Sequence, residues 1–169
     1  MNFQPTLKNN LVEVRPLRQE DYESLFKAAS DPEIWAGMPA KNRHQREPFT
    51  KFFNYLLGTG KSFCIVDAKI NKPIGTTRYY LTEDRLCMGS TFLEREYWGG
   101  EYNNSFRNLL IEHAFQYYDA IYIHITKDNT RNQRATEKLG FHYAFDETLT
   151  LGAGKERTFM TYRMYKTIK

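Results

Sequence analysis

The segment from Glu94 to Arg107 combines a glycine turn with a helix start, a combination suited to binding an anion. A strand-like run, Leu86 to Leu93, leads into Gly99-Gly100, and an amphipathic helix follows. The apolar side chains of this helix recur at three- and four-residue steps: Phe106, Leu109, Leu110, Ala114 and Tyr117. The first N–H groups of a helix lack backbone partners, and the helix dipole adds positive charge there. The turn therefore predicts a phosphate or pyrophosphate site, although glycines used for turn geometry alone would leave the same pattern.

Cysteine and histidine, the other residue types suited to chemistry, show no spacing typical of a metal site. Cys64 and Cys87 lie in apolar strand-like runs without a CxxC pattern, and the four histidines form no HExxH motif. The pattern predicts free buried thiols and no metal. Residues 1–10 lack the apolar core of a signal peptide, and no run is long enough to span a membrane. We therefore expect a cytoplasmic protein.

Length and composition indicate a single globular domain. The chain has 169 residues, of which 41% are hydrophobic and 26% charged, close to the averages of globular proteins. Its net charge is +4, and both signs alternate along the sequence. Aromatic residues are abundant, at 15%, but are not interleaved with a basic patch, which disfavours stacking on nucleic-acid bases. We expect no nucleic-acid or membrane partner, and a monomer or a homodimer.

Hydrophobic periodicity predicts eleven elements in the order β-α-α-β-β-β-α-β-α-β-β. The predicted strands are 11–17, 62–68, 74–81, 86–93, 120–126, 141–149 and 157–165, with Gly152-Ala153-Gly154 between the last two. Two helices lie between the first two strands, one follows Gly100 and one follows Asp128-Asn129. This order predicts an α/β fold with one mixed, mostly antiparallel sheet flanked by helices on both faces. The crossover helix requires 86–93 and 120–126 to be parallel. Residues 1–10 form an N-terminal extension and 11–165 the domain.

Two motifs on these elements carry a resemblance to a known family. The first is the run from Asp128 to Phe141, in which an Asn-rich helix start leads into Glu-Lys-Leu-Gly-Phe. The second is a Trp-Gly turn followed by Asn and, four residues on, Arg: Trp98, Asn103 and Arg107. Between Leu11 and Tyr165 the chain resembles the GNAT superfamily of acetyl-CoA-dependent N-acetyltransferases. It is most similar to the branch that contains ribosomal-protein N-terminal acetyltransferases.

The resemblance implies a single-domain GNAT-like fold in which strand 86–93 splays away from strand 120–126. A pantetheine arm would then bind along the first of these strands, and the glycine turn would hold the pyrophosphate of acetyl-CoA. The implied cofactor-binding residues are Phe92, Leu93, Trp98, Gly99, Gly100, Glu101, Tyr102, Asn103, Asn129, Asn132 and Arg134. We also expect Asn103 to cap the helix that follows the turn.

Several residues depart from the family pattern. Glu101 and Asn103 stand where most members have glycine and a small residue, and Asn132 replaces a serine. Thr136 occupies the place of a tyrosine that serves many members as general acid. No carboxylate lies in 86–92, where relatives often keep a general base. These departures keep open a second possibility, a catalytically weak or inactive acyl-CoA-binding module.

The implied activity is transfer of an acetyl group from acetyl-CoA to a primary amine, by direct attack of the amine on the thioester. The acceptor would be a protein N-terminus or a small-molecule amine. Glu94 is the candidate catalytic base, with Glu96 or a water chain to solvent as alternatives. Four aromatic residues are candidates for lining the acceptor cleft: Trp35, Tyr79, Tyr80 and Tyr143. Acceptor specificity would reside in the loops 31–46 and 150–156.

Overall fold

The computed structural model describes residues 1–151 and 154–168. Its strands are β1 (Leu7–Lys8), β2 (Val12–Pro16), β3 (Ser62–Asp67), β4 (Lys72–Thr82), β5 (Arg85–Leu93), β6 (Ala120–Ile125), β7 (His142–Thr150) and β8 (Glu156–Tyr165). Its α-helices are α1 (Tyr22–Ala28), α2 (Arg46–Gly58), α3 (Glu101–Ala114) and α4 (Thr130–Lys138). Two of the residues expected between the last strands, 152 and 153, lie outside the described part. No helix in the described ranges is both long and apolar enough to cross a membrane.

All eight strands form one sheet in the order β1-β2-β3-β4-β5-β6-β8-β7. Each neighbouring pair is antiparallel except β5 and β6, which are parallel and joined by α3. This confirms the predicted mixed, mostly antiparallel α/β fold and its parallel pair. The two-residue strand β1 was not expected, and it pairs with β2 at the edge of the sheet.

The first ten residues are tied to the sheet and to α3. Gln4 donates a side-chain hydrogen bond to the carbonyl oxygen of Ser62 at 2.9 Å. His113 Nε2 donates to the carbonyl oxygen of Asn2 at 2.8 Å. The side chains of Met1, Phe3 and Leu7 pack against the core.

Helices cover both faces of the sheet, as predicted. On one face Phe106, Leu110 and Ala114 of α3 are fully buried against alternate strand residues such as Val14, Ile65 and Ile123. The expected stripe is wrong at its last member, because α3 ends at Ala114 and Tyr117 is 52% exposed. On the opposite face α1 and α2 bury an aromatic cluster on β3 and β5, formed by Tyr22, Phe26, Trp35, Phe49, Phe52, Phe53 and Phe92.

β5 bends away from β6 soon after it begins. One extra residue of β5 is accommodated between Gly89 and Phe92, and Ser90 there adopts a φ of 51°. A bulge of this kind bends the strand that carries it. The ladder between β5 and β6 accordingly contains one registered pair, Cys87 with Tyr122. The predicted divergence of these two strands is confirmed.

Candidate functional site

A groove of about 640 Å³ opens where β5 and β6 diverge. Residues 88–91 of β5 form one wall, and residues 123–126 run along the other. Arg107 of α3 lines one end, whereas Tyr55 of α2 lines the other. Because α2 and α3 cover opposite faces of the sheet, the groove passes from one face to the other.

The glycine turn leaves open space in front of the α3 N-terminus. Gly99 has a φ of 71°, a conformation that only glycine adopts readily, and Gly100 is the N-cap residue in an extended conformation. A Cβ built on either glycine would meet no protein atom within 4 Å. Glu101 is the first residue of the helix and its side chain is exposed. The backbone of the turn is therefore accessible to a ligand.

Asn103 does not cap α3, so that expectation is wrong. The helix begins at Glu101, three residues earlier than a cap at Asn103 would require. The Asn103 side chain points along the helix instead, where its Oδ1 accepts a hydrogen bond from Arg107 Nε at 3.0 Å. The physical reason is that Gly100 supplies the extended N-cap backbone, which places Asn103 inside the first turn.

Arg107 is a buried guanidinium at the end of the groove. It is 5% exposed, and its NH2 group donates to Asn132 Oδ1 at 3.3 Å. Within the described residues no carboxylate forms an ion pair with it. Burial, with a smaller contribution from Arg131, lowers the pKa of Arg107 to about 10, so it remains cationic at neutral pH. The groove thus holds a positive charge whose side-chain hydrogen-bond partners in the described residues are amide oxygens.

Asn129 and Asn132 organise the start of α4 beside Arg107. Asn129 is the N-cap, and its Oδ1 accepts a hydrogen bond from the backbone N–H of Asn132 at 3.3 Å. Asn132 Oδ1 also accepts from the hydroxyl of Thr136 at 3.4 Å. Both asparagines line the groove, whereas Arg134 is exposed on α4 and does not.

Trp98 connects the glycine turn to the end of β5 and to α4. Its Nε1 donates to the carbonyl oxygen of Leu93 at 2.8 Å, and the Arg131 guanidinium lies 3.6 Å from the centre of one of its rings. Tyr102 packs edge-on against Tyr97 with ring centres 4.7 Å apart. These contacts fix the end of β5 relative to α3.

Phe92 and Leu93 direct their side chains into the two cores rather than into the groove. Phe92 is 1% exposed and lies against Trp35, with ring centres 5.2 Å apart. Both residues pair with β4, and the ladder to β6 ends before either of them. Neither residue is among those that line the groove.

Glu94, the candidate base, lies outside the groove. Its carboxylate forms an ion pair with Lys72 at 2.9 Å, and its backbone N–H donates to the carbonyl oxygen of Ile74. Glu94 therefore lies against the start of β4 and is not among the residues that line the groove.

Of the four aromatic candidates for the acceptor cleft, Tyr80 lines the groove. Trp35 is buried and donates from Nε1 to the carbonyl oxygen of Ala29. Tyr79 is also buried and bonds to the carbonyl oxygen of Leu110, whereas Tyr143 is exposed.

A hydrogen-bonded chain that sequence reasoning missed runs from Tyr80 through His124 to Glu147. The Tyr80 hydroxyl lies 2.7 Å from His124 Nδ1, and His124 Nε2 lies 2.8 Å from Glu147 Oε2. Arg85 forms an ion pair with Glu147 and holds the pKa of that carboxyl below its ordinary value. Burial lowers the pKa of His124 and raises that of Tyr80, so both are neutral at pH 7. Alternation in β6 places His124 on the face opposite Ile123, but no sequence signal links it to Glu147.

Sequence comparison identifies the family of this chain. The profile of the acetyltransferase (GNAT) domain matches residues 12–142, more than half of the chain. The chain belongs to the GNAT family. It is an acyltransferase of the GNAT type, and its fold is one that supports acetyl transfer. No curated protein matches the sequence.

Solved structures share the GNAT fold at low sequence identity. The GCN5-related N-acetyltransferase of Brucella melitensis superposes with a TM-score of 0.83 at 15% identity, covering 96% of this chain and 79% of that one. A GNAT-family acetyltransferase of Bacillus anthracis gives 0.76 at 18% identity, covering 95% and 98%. The ribosomal-protein-S5-alanine acetyltransferase of Vibrio fischeri gives 0.67 at 18% identity, covering 95% and 96%.

One departure of this GNAT chain has a structural consequence. Thr136 is fully buried and its hydroxyl faces Asn132. It thus helps to order the amide that contacts Arg107. Among the described residues no group of three or more His, Cys, Asp or Glu side chains is arranged to hold a metal ion.

Proposed function

We propose that this protein transfers an acetyl group from acetyl-CoA to a primary amine, either a protein N-terminus or a small-molecule amine. The amine would attack the thioester directly: a C–N bond forms, the C–S bond breaks and CoA leaves as the thiolate. The observation that carries this proposal is the divergence of β5 from β6 after Cys87 and Tyr122. It leaves strand backbone open beside a groove that reaches both faces of the sheet.

The pyrophosphate of acetyl-CoA would bind at the start of α3. The N–H groups from Trp98 to Asn103, the helix dipole and the open space at Gly99 and Gly100 favour an anion there. The exposed carboxylate of Glu101 can turn towards solvent. Arg107, cationic and without a carboxylate partner in the described residues, would add attraction from inside the groove. Asn129, Asn132 and the exposed Arg134 would line the part of the site that holds the pantetheine and adenosine of acetyl-CoA.

Removal of the amine proton is the step for which the residues favour a particular route. Tyr80 lines the groove and donates to His124, whose other nitrogen is held by Glu147. The amine proton would pass to Tyr80 as the tyrosine proton moves to His124, and Glu147 would stabilise the imidazolium. Glu94, the candidate base from the sequence, has its carboxylate held by Lys72.

A catalytically weak or inactive acyl-CoA-binding module is the alternative. The position of Thr136, buried against Asn132, favours it, because that hydroxyl is not placed to protonate the leaving thiolate. The two possibilities share the cofactor site and differ in turnover.

Thiol release from acetyl-CoA in the presence of a panel of amines tests the proposal. Amine-dependent release, together with a rise in Tm on adding CoA, is the expected result. A Tm rise without release from any amine would identify the binding module. Adenosine should raise Tm far less than CoA because it lacks the pyrophosphate; equal shifts would contradict the placement at α3. Sedimentation would distinguish a monomer from a homodimer. A cytoplasmic location is part of the proposal, and the free, buried thiols of Cys64 and Cys87 are compatible with it.

A further inference from the structure

The end of the groove on the α2 side is cationic. Arg43, in the loop before α2, and Arg78, on β4, both line it together with Tyr55. No aspartate or glutamate is among the described residues that line the groove. Neither guanidinium forms an ion pair with a carboxylate in residues 1–151 or 154–168.

Both arginines are held in place by neutral groups. Arg43 lies over the ring of Phe52, with the guanidinium carbon 4.2 Å from the ring centre, and burial lowers its pKa. Arg78 donates from Nε to the Ser90 hydroxyl at 2.8 Å, a bond that leaves its terminal nitrogens available. A partly desolvated guanidinium without a counter-ion is costly unless an anion joins it. The arrangement is therefore suited to an incoming carboxylate or phosphate.

Arg78 is adjacent to the residue proposed to accept the amine proton. Its guanidinium carbon lies 4.7 Å from the ring centre of Tyr80. An anion bound to Arg78 and an amine at the Tyr80 hydroxyl are close enough to belong to one molecule. The same groove would repel a polycation, since its described lining offers no carboxylate to pair with a second ammonium group.

We propose that the acceptor is an amine that carries an anionic group close to the reacting nitrogen, bound by Arg43 and Arg78. This deepens the proposed function and rests on it. The anion would be a carboxylate or a phosphate, on a free amino compound or on the first residues of an acidic peptide. Polyamines and other polycationic amines would be poor acceptors.

Matched pairs of amines test the charge requirement. The pairs are alanine and alaninamide, phosphoethanolamine and ethanolamine, and a peptide beginning Ala-Asp against one beginning Ala-Asn; spermidine is the polycation. We expect the anionic member of at least one pair to exceed its partner by about tenfold in kcat/KM, as one charge-assisted contact predicts. The pair that responds identifies the source of the anion. Equal rates within every pair, or a preference for spermidine, would overturn the inference while leaving acetyl transfer intact.

Substitutions assign the preference to the two arginines. Arg43→Met and Arg78→Met should raise the acceptor KM and reduce the discrimination within the responding pair, with little change in the KM for acetyl-CoA. Arg46→Met is the matched control: Arg46 lies three residues from Arg43, also stacks on an aromatic ring, Phe26, and pairs with exposed Glu23 outside the groove. A raised KM for acetyl-CoA with unchanged acceptor discrimination would assign the arginines to the cofactor and overturn the inference.

Binding decides the inference even where turnover fails. In the presence of CoA, the anionic amines should raise the Tm of the wild type and of Arg46→Met, and raise it less in Arg43→Met and Arg78→Met. Failure of every amine to release thiol would contradict the proposed function. Failure of every anionic amine to raise the wild-type Tm would contradict the anionic acceptor.

Discussion

The hydroxyl of Tyr80 lies 2.7 Å from Nδ1 of His124, at the wall of the groove between β5 and β6. With His124 neutral, the tyrosine donates to Nδ1, and the Nε2–H group donates to Glu147. Three residues from three different strands thus form a continuous path for a proton. The path ends at Glu147, a carboxylate that Arg85 keeps ionised.

Tyr80→Phe should remove the start of this path. We expect kcat to fall by about 100-fold, the scale of general acid–base catalysis, with the KM for acetyl-CoA unchanged. Steady-state kinetics with a saturating amine would measure the effect. Tyr143→Phe is the control, because that tyrosine is exposed and bonds to Asp146 away from the groove. If Glu94→Gln lost activity and Tyr80→Phe kept it, the role of base would return to Glu94.

The pH dependence should report on His124. Burial lowers its pKa in the folded state below the ordinary value of about 6.5, so the neutral imidazole persists to lower pH than a free one would. The acid limb of kcat should therefore lie below pH about 6.5 and should change in His124→Gln. A wild-type acid limb centred well above that value would contradict the assignment.

The same lowered pKa predicts how His124 affects stability. Because the unfolded chain binds the proton more readily, the contribution of His124 is complete above the unfolded pKa and is lost as the pH falls through the folded one. The Tm of the wild type should thus decline more steeply than that of His124→Gln below pH about 6.5. Parallel profiles of Tm against pH would show that folding does not change the pKa of His124.

Arg107→Met should separate ligand binding from folding. The variant removes a buried cation that has amide but no carboxylate partners in the described structure, so we expect a stability change of no more than about 1 kcal/mol. Affinity for CoA should fall by about tenfold, which calorimetry can measure, and Arg107→Lys should restore part of it. A large loss of stability with unchanged CoA affinity would show a purely structural role.

Gly100→Asn tests the proposed pyrophosphate site at the start of α3. Gly99 is unsuitable because its φ of 71° would strain any side chain, whereas Gly100 is extended and faces open space. Asparagine is a favourable N-cap residue, so the Tm should hold or rise. CoA affinity should fall, since the side chain occupies the approach to the backbone N–H groups. Wild-type CoA affinity in this variant would contradict the proposed pyrophosphate site at the start of α3.

The two helix-start asparagines should respond differently to truncation. Asn129→Ala removes an N-cap hydrogen bond from α4 and should cost about 1 kcal/mol of unfolding free energy. Asn103→Ala removes a contact to Arg107 inside the first turn of α3 and should cost less, because no cap is lost. Denaturant unfolding of both variants measures the difference, and equal losses would contradict the assigned capping.

Much of the fold was predictable from local sequence. The alternation in β6 and the apolar stripe of α3 are short-range patterns, because side-chain direction repeats every two residues in a strand and every 3.6 in a helix. The crossover through α3 then required β5 and β6 to be parallel. The turn at Gly99-Gly100 was readable for the same reason, since only a few consecutive residues determine it.

The Tyr80–His124–Glu147 chain and the cationic end of the groove depended on tertiary structure. Tyr80 and His124 are 44 residues apart in sequence, and His124 and Glu147 are 23 apart. They meet because the sheet places β8 between β6 and β7 and lets β5 bend away from β6. Long-range strand order decides which polar side chains share one face, and no local pattern encodes it. The sequence by itself therefore determined the elements and the glycine turn, whereas the packing of distant strands decided which polar side chains meet in the groove.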